Sequence, residues 1–188
     1  MLTLVLASQP AEARSTADSC HVDQRAAPVE IPLGSDLLSG EYRLTVVADH
    51  GFVGDTVAIG RLTMSSTGSE LRTSHNKSIT FPAWGWSDID LLSLGPVTLA
   101  YGPSSRDPAR PGVQAVYDSD DRSLVLVFGN AFERVGVTED AGVFFHVHHL
   151  DGQVMRGRWE DGGLRTPRPG GYFCASRVTA PRNGEQSR

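Results

Sequence analysis

The stretch "VFFHVHHLDGQVMRGRW" (residues 143–159) constrains the fold most strongly. Two runs rich in apolar residues flank the dipeptide Asp151-Gly152, and Asp-Gly in this setting is typical of a two-residue β-hairpin turn. With Asp151 and Gly152 as the turn residues, we predict a register that opposes Phe144 to Trp159, His146 to Gly157, and His148 to Met155. Because side chains alternate between the two faces of a strand, this register also assigns each residue to a face.

The two arginines indicate which face of this hairpin is buried. Arg156 and Arg158 share one face, and arginines are rarely buried without a partner, so we expect this face to meet solvent. The opposite face is then expected to point inward, with Gly157 leaving space beside His146. It carries the side chains that we predict to bind a ligand: Phe144, His146, His148, Met155 and Trp159.

Three interpretations of His146 and His148 are open. They are neutral residues of the core, they line a small-molecule pocket with aromatic walls, or they bind a metal. Two imidazoles on one side of a strand suit zinc or copper, which would need further ligands. Candidates for such ligands, by residue type alone, are His50, His75, Asp88, Asp90 and Glu133. We expect no cofactor, with zinc or copper as the alternative.

Alternation elsewhere predicts further short strands. In "EYRLTVVADH" (41–50) one face holds Tyr42, Leu44, Val46 and Ala48, and in "TVAIGRLTM" (56–64) one face holds Ala58, Gly60, Leu62 and Met64. Further predicted strands are "VQAVYD" (113–118), "YFCASRV" (172–178) and "SLVLVFG" (123–129), in which the run from Leu124 to Phe128 is apolar on both faces and is expected to be deeply covered. With no amphipathic helix and no internal repeat, the chain is predicted to be all-β: an antiparallel up-and-down β-barrel of about eight strands, with a β-sandwich as the alternative.

The 188 residues suffice for one well-packed domain. We assign residues 39–179 to a single β-barrel domain, 14–38 to an N-terminal arm and 180–188 to a disordered tail. Residues 1–13 are interpreted as a remnant of an export signal, because a short apolar run precedes a small-x-small sequence typical of a signal-peptidase site. A basic segment before the apolar run is missing, so an ordinary terminus is the alternative.

The two cysteines, Cys20 and Cys174, lie far apart in the sequence, which excludes a CxxC motif. In an exported protein they would form one disulfide that ties the arm to the last strand. Closing so long a loop contributes up to about 5 kcal/mol in the chain-entropy model. We therefore expect a secreted or periplasmic protein. The alternative is a cytoplasmic protein with two unrelated thiols.

Charge and motifs narrow the class of function. The formal net charge is −5 and the basic residues form no stripe, so nucleic acid is not an expected partner. No apolar stretch approaches the ~20 residues that span a bilayer, and no nucleophile elbow is present. We expect a non-catalytic barrel, a monomer or small homo-oligomer, that binds a small partly apolar molecule or a protein partner. The alternatives are a metal-binding protein or metalloenzyme using His146 and His148, and a structural or interaction module with a filled barrel.

Both ends of the predicted barrel resemble secreted calycin-type (lipocalin- or avidin-like) barrels. "SGEYRL" (39–44) is similar to the Gly-x-Trp opening of a lipocalin-like first strand, with Tyr42 in place of the tryptophan. Arg177 in "CASRV" (174–178) is similar to the arginine that packs over this ring in that family. A disulfide between the two ends of the chain also suits the group. The resemblance implies a ligand-binding barrel in which Gly40, Tyr42 and Arg177 pack together.

Overall fold

The eight strands in the described part of the chain form one closed antiparallel barrel. Its computed structural model describes residues 29–31, 36–50, 57–72, 78–95, 97, 112–129, 142–162 and 168–178. The strands are β1 (Gly40–His50), β2 (Val57–Arg72), β3 (Ser78–Ser87), β4 (Gly112–Asp118), β5 (Ser123–Phe128), β6 (Val143–Leu150), β7 (Val154–Asp161) and β8 (Gly170–Arg177). Each pairs with the next along the chain, and β8 closes onto β1. The predicted up-and-down barrel is therefore confirmed.

Alternating polarity assigned the buried faces of β1 and β2 correctly. Leu44 pairs with Gly60, and Tyr42 pairs with Leu62. The apolar members of both predicted faces are buried, whereas Arg43 and Arg61 on the other face are exposed. Strand β4 shows the same strict alternation, with every second residue buried. A pleated strand that covers a core on one side produces this pattern.

Aromatic side chains fill the middle of the barrel. The Phe145 ring lies 4.3 Å from Phe128, 4.8 Å from Phe173 and 6.4 Å from Trp159, measured between ring centroids. The indole N–H of Trp159 donates to the Val47 carbonyl at 2.9 Å, so its one polar group is satisfied. An eight-stranded barrel is just wide enough to be filled by its own side chains.

Two short 3₁₀ segments close onto the barrel. Asp36–Leu38 directly precedes β1 and buries Leu38. Leu91–Leu94 follows β3 and buries Leu91 and Leu94; the Asp90 carboxylate caps it by accepting the N–H groups of the second and third residues. Here Gly60 is needed for close packing, because a Cβ at this position would come within 2.7 Å of the Ile89 Cα.

Part of the predicted N-terminal arm packs against the core. Val29 and Ile31 are buried, and the Val29 carbonyl accepts the Tyr117 hydroxyl at 3.1 Å. Residues 1–28 and 179–188 lie outside the described residues, so the export signal and the disordered tail stay predictions. No helical segment in the described ranges is long and apolar enough to cross a membrane.

Candidate functional site on the outer face of the barrel

The turn between β6 and β7 lies one residue later than predicted. Leu150 pairs with Met155, and the Asp151 N–H donates to the Val154 carbonyl at 3.2 Å. Gly152 and Gln153 are therefore the two central residues, and Gly152 adopts the positive φ of 79° that glycine tolerates. The Asp151 carboxylate accepts the N–H groups of Gln153 and Val154 at 2.9 and 2.8 Å. Asp151 is thus the first residue of the turn, which its side chain stabilises, and not one of the two central residues.

A second irregularity follows in β6. The register shifts between Val147 and His149, so His148 is the extra residue of a β-bulge. Beyond the bulge Val147 pairs with Gly157, and Phe145 pairs with Trp159. A change of one residue exchanges the two faces of a strand.

This register corrects the predicted facing of the candidate ligand-binding residues. Phe145 and Val147 are the inward residues of β6 and are buried. The prediction that Phe144, His146 and His148 point into the barrel is therefore wrong, because they lie on its outer face. Met155 and Trp159 do point inward, as predicted, and are buried. The five predicted residues therefore do not share one pocket in the lumen.

On the outer face, two of these histidines line a depression of about 300 Å³. We call it the histidine depression; its lining residues are His146, His148, Arg158, Trp159 and Glu160. The His146 Nε2 atom lies 3.3 Å from the Glu160 Oε1 atom. Arg158 donates to the Asp49 carboxylate at 3.0 Å. Cross-strand neighbours on β6 and β7 therefore place two imidazoles, a guanidinium and a carboxylate around one small space.

His148 is the least satisfied polar group of the depression. Its Nδ1 atom is buried and has no hydrogen-bond partner among the described residues. Burial lowers the pKa of His148 below its usual value of 6.5, and the neighbouring His146 and Arg158 lower it further. The imidazole is therefore neutral at pH 7. A neutral imidazole has one N–H donor and one acceptor, and because Nδ1 is buried, Nε2 is the ring nitrogen left to meet a ligand.

His149 takes part in the turn instead of the depression. Its Nε2 atom lies 3.2 Å from the Asp151 Oδ2 atom. The N–H groups of Gln153 and Val154 lower the pKa of Asp151, with a further contribution from His149. The third histidine of the motif therefore stabilises the hairpin and provides a neighbouring control position for experiments on His146 and His148.

The described residues contain no group of three or more His, Cys, Asp and Glu side chains placed to hold a metal ion. Of the further ligands predicted by type, Asp88 accepts the backbone N–H of Arg61, and Asp90 caps a 3₁₀ segment. The side chain of His50 and the residues His75 and Glu133 are not among the described parts of the structure. A metal at His146 and His148 would need a ligand from those other parts of the chain.

The residues that carry the family resemblance lie together where β1 begins and β8 ends. The Arg177 guanidinium carbon lies 5.3 Å from the Tyr42 ring centroid. Arg177 donates to the Tyr42 hydroxyl at 2.8 Å and to the Leu37 carbonyl at 2.9 Å. Gly40 lies beside the same guanidinium, with φ of 139°. Burial raises the pKa of Tyr42, and Arg177 offsets part of this rise. These contacts join the start of β1 to the end of β8.

Cys174 lies in β8, where it pairs with Thr45 of β1 and is buried. Its predicted partner Cys20 lies outside the described residues. The disulfide therefore stays a prediction.

A second depression, of about 550 Å³, lies on the outer face of β1 and β2 and was not predicted from the sequence. Arg43 and Arg61 line it, and these residues pair directly across the two strands. Both lie on the faces of β1 and β2 opposite to the predicted apolar faces. Only the register of β1 against β2 reveals that they are neighbours.

No family model, curated protein or solved structure matches this chain. Its function is therefore inferred from the geometry of the described residues.

Proposed function

We propose that this protein is a non-catalytic binding barrel that holds its ligand on the outer face instead of in the lumen. The observation that carries this proposal is the aromatic filling of the interior by Phe128, Phe145, Trp159 and Phe173. The described inward positions of the strands around these rings are buried as well. Binding in the lumen would require these close-packed rings to move apart, which costs packing energy.

The histidine depression is the proposed binding site. Its volume of about 300 Å³ is at the lower end of the range for small-molecule pockets. His146 and His148 offer imidazole nitrogens for hydrogen bonding, and Arg158 and Glu160 offer charged groups. Trp159 also borders the depression, but it is 1% exposed and its ring points inward, so it offers a ligand almost no surface. The polar lining favours the hydrogen-bonding groups of a small, partly apolar ligand, and the alternative occupant is a polar side chain of a protein partner.

The wider biological setting belongs to the same proposal. We infer an exported protein of the calycin type, secreted or periplasmic, in which Cys20 and Cys174 form a disulfide. Three observations support this: the closed eight-stranded barrel, the Arg177 guanidinium over the Tyr42 ring, and the buried position of Cys174 in the last strand.

Nuclear magnetic resonance can separate an outer site from a lumen site, because the chain has probes in both places. The methyl groups of Met64 and Met155 lie inside the barrel, and His146 and His148 lie outside. A library of small molecules is screened against protein labelled with ¹³C at the methionine methyl and histidine ε1 positions. Binders are expected to shift the two histidine signals and to leave both methionine signals in place.

Histidine variants then test which imidazoles are needed for ligand binding. A His146→Gln, His148→Gln double variant should lose binding, whereas His149→Gln, next to them on the exposed end of β6, should keep it. Binders that shift Met64 and Met155 but not the histidines would contradict the proposal and restore a lumen site.

Metal binding is a second candidate function, favoured by the two imidazoles on one outer face with Glu160 beside His146. Protein purified without chelator is analysed for zinc and copper and then titrated with Zn²⁺. About one equivalent, lost in a His146→Ala, His148→Ala variant and retained in His149→Ala, would support a metal site. Binding that is equal in all three proteins would contradict it.

A further inference from the structure

The second depression lies apart from the histidine depression and has a different chemistry. We call it the arginine groove; its lining residues are Glu41, Arg43, Ile59, Gly60, Arg61, Asp88 and Val178. It runs along the paired outer faces of β1 and β2, with Val178 at the end where the chain leaves β8. At about 550 Å³ it falls within the range of small-molecule sites.

Two positively charged residues occupy opposed positions in this groove. Arg43 and Arg61 are direct cross-strand partners, and like charges at such positions destabilise a sheet. Locally unfavourable choices of this kind tend to occur at functional sites. An anion that binds between or beside the two guanidinium groups is therefore expected to reduce the repulsion between them.

The carboxylates of the groove engage Arg61 and not Arg43. Glu41 Oε1 lies 3.5 Å from Arg61 Nη1, and Asp88 accepts the backbone N–H of Arg61. No described residue forms a hydrogen bond or an ion pair with the Arg43 side chain. Within the described part of the chain the Arg43 guanidinium is thus available to a ligand, and its planar group can bind a carboxylate through two parallel hydrogen bonds.

The groove also exposes apolar surface. Ile59 is 44% exposed and Val178 is 48% exposed, and they are two of the four large hydrophobic residues that are exposed in the described part of the chain. Single exposed hydrophobic residues are ordinary. Here two of them line one concave surface next to Arg43, whose guanidinium has no partner among the described residues, so the groove offers both apolar contact and a positive charge.

We infer that the arginine groove binds a carboxylate that bears an apolar chain. Arg43 holds the carboxylate, and Ile59 and Val178 contact the chain. The second arginine, Arg61, is held in place by Glu41. This site is independent of the proposed role of the histidine depression, because the two depressions share no residue.

Octanoate is the probe for a test by methyl NMR, with the δ1 methyl group of Ile59 as the reporter. Octanoate should shift this signal in a saturable manner. Acetate has the charge without the chain, and octanol has the chain without the charge; each should bind at least about tenfold more weakly. Loss of one charge-assisted hydrogen-bonding group predicts a similar weakening in Arg43→Gln.

Arg122→Gln is the matched control, because Arg122 is also exposed but lies on the turn between β4 and β5, paired with Glu30. It should bind octanoate as the unmodified protein does, and melting curves check that both variants are folded. The inference is overturned if octanoate gives no saturable shift, if Arg43→Gln binds it as tightly as Arg122→Gln, or if acetate or octanol binds as tightly as octanoate.

Discussion

Adjacent phenylalanines in β6 test the register on which the location of the histidine depression depends. The structure places Phe145 inside the barrel and Phe144 outside. A turn centred on Asp151-Gly152 would exchange the two. The substitutions Phe145→Ala and Phe144→Ala remove the same atoms from neighbouring positions, so their effects on the free energy of unfolding can be compared directly.

The expected difference follows from the packing around each ring. Phe145 is 0% exposed and contacts the rings of Phe128, Trp159 and Phe173. Truncation of such a residue typically costs about 3–5 kcal/mol, because a cavity remains. Phe144 is only partly buried, and we expect a cost of about 1 kcal/mol, typical of substitutions outside the core. The two variants should therefore differ by at least about 2 kcal/mol.

Guanidinium unfolding monitored by tryptophan fluorescence measures both costs. The midpoint should fall much further for Phe145→Ala than for Phe144→Ala, with the slope of the transition unchanged. The free energy of unfolding of a domain is usually about 5–15 kcal/mol. If this protein lies near the low end, Phe145→Ala would be largely unfolded before denaturant is added. Phe145→Leu and Phe144→Leu provide a milder pair for that case. Equal losses, or a larger loss for Phe144→Ala, would refute the register and with it the outer position of His146 and His148.

Three other predictions concern pH, the contact between Tyr42 and Arg177, and the cysteines. Because the pKa of His148 is below 6.5 in the folded state, the unfolded chain takes up its proton first. The contribution of His148 to the free energy of unfolding is therefore complete above pH 6.5 and is lost as pH falls from 6.5 to the folded pKa. Over this interval the unfolding midpoint of His148→Gln should decrease less than that of the unmodified protein. Tyr42→Phe removes the hydroxyl that accepts from Arg177 and should lower the free energy of unfolding by about 1–3 kcal/mol; no change in the midpoint would contradict this. Denatured, unreduced protein should contain no titratable thiol, and Cys20→Ser should expose one at Cys174; two free thiols in the unmodified protein would exclude the disulfide.

Much of the architecture could be predicted because polarity alternates cleanly in several strands. In β1 the apolar side chains of Tyr42, Leu44 and Val46 alternate with polar ones, so only one face can cover a core. Met155 and Trp159 of β7 were placed correctly for the same reason, since Arg156 and Arg158 occupy the positions between them. Short strands separated by turn residues then indicate a barrel, because sequential antiparallel pairing leaves two edges that only closure removes.

The position of the histidine depression depends on features that the alternation of polar and apolar residues does not reveal. Val143, Phe144 and Phe145 are consecutive and apolar, so polarity does not show which face of β6 is inward. Contacts across the barrel decide it, since Phe145 packs on Phe128 and Phe173. The bulge at His148 and the turn closed by the Asp151 carboxylate shift the register in ways that local sequence does not determine.

The arginine groove also depends partly on features visible in the sequence and partly on the tertiary structure. The sequence by itself determined that Arg43 and Arg61 belong to two strands and lie on the faces opposite to the apolar ones. Only the tertiary structure decided that they are opposite each other, because the pairing of β1 with β2 depends on which residues each strand contributes to the core. A single-residue change in that pairing would separate the two charges, since residues on adjacent positions of a strand point to opposite faces.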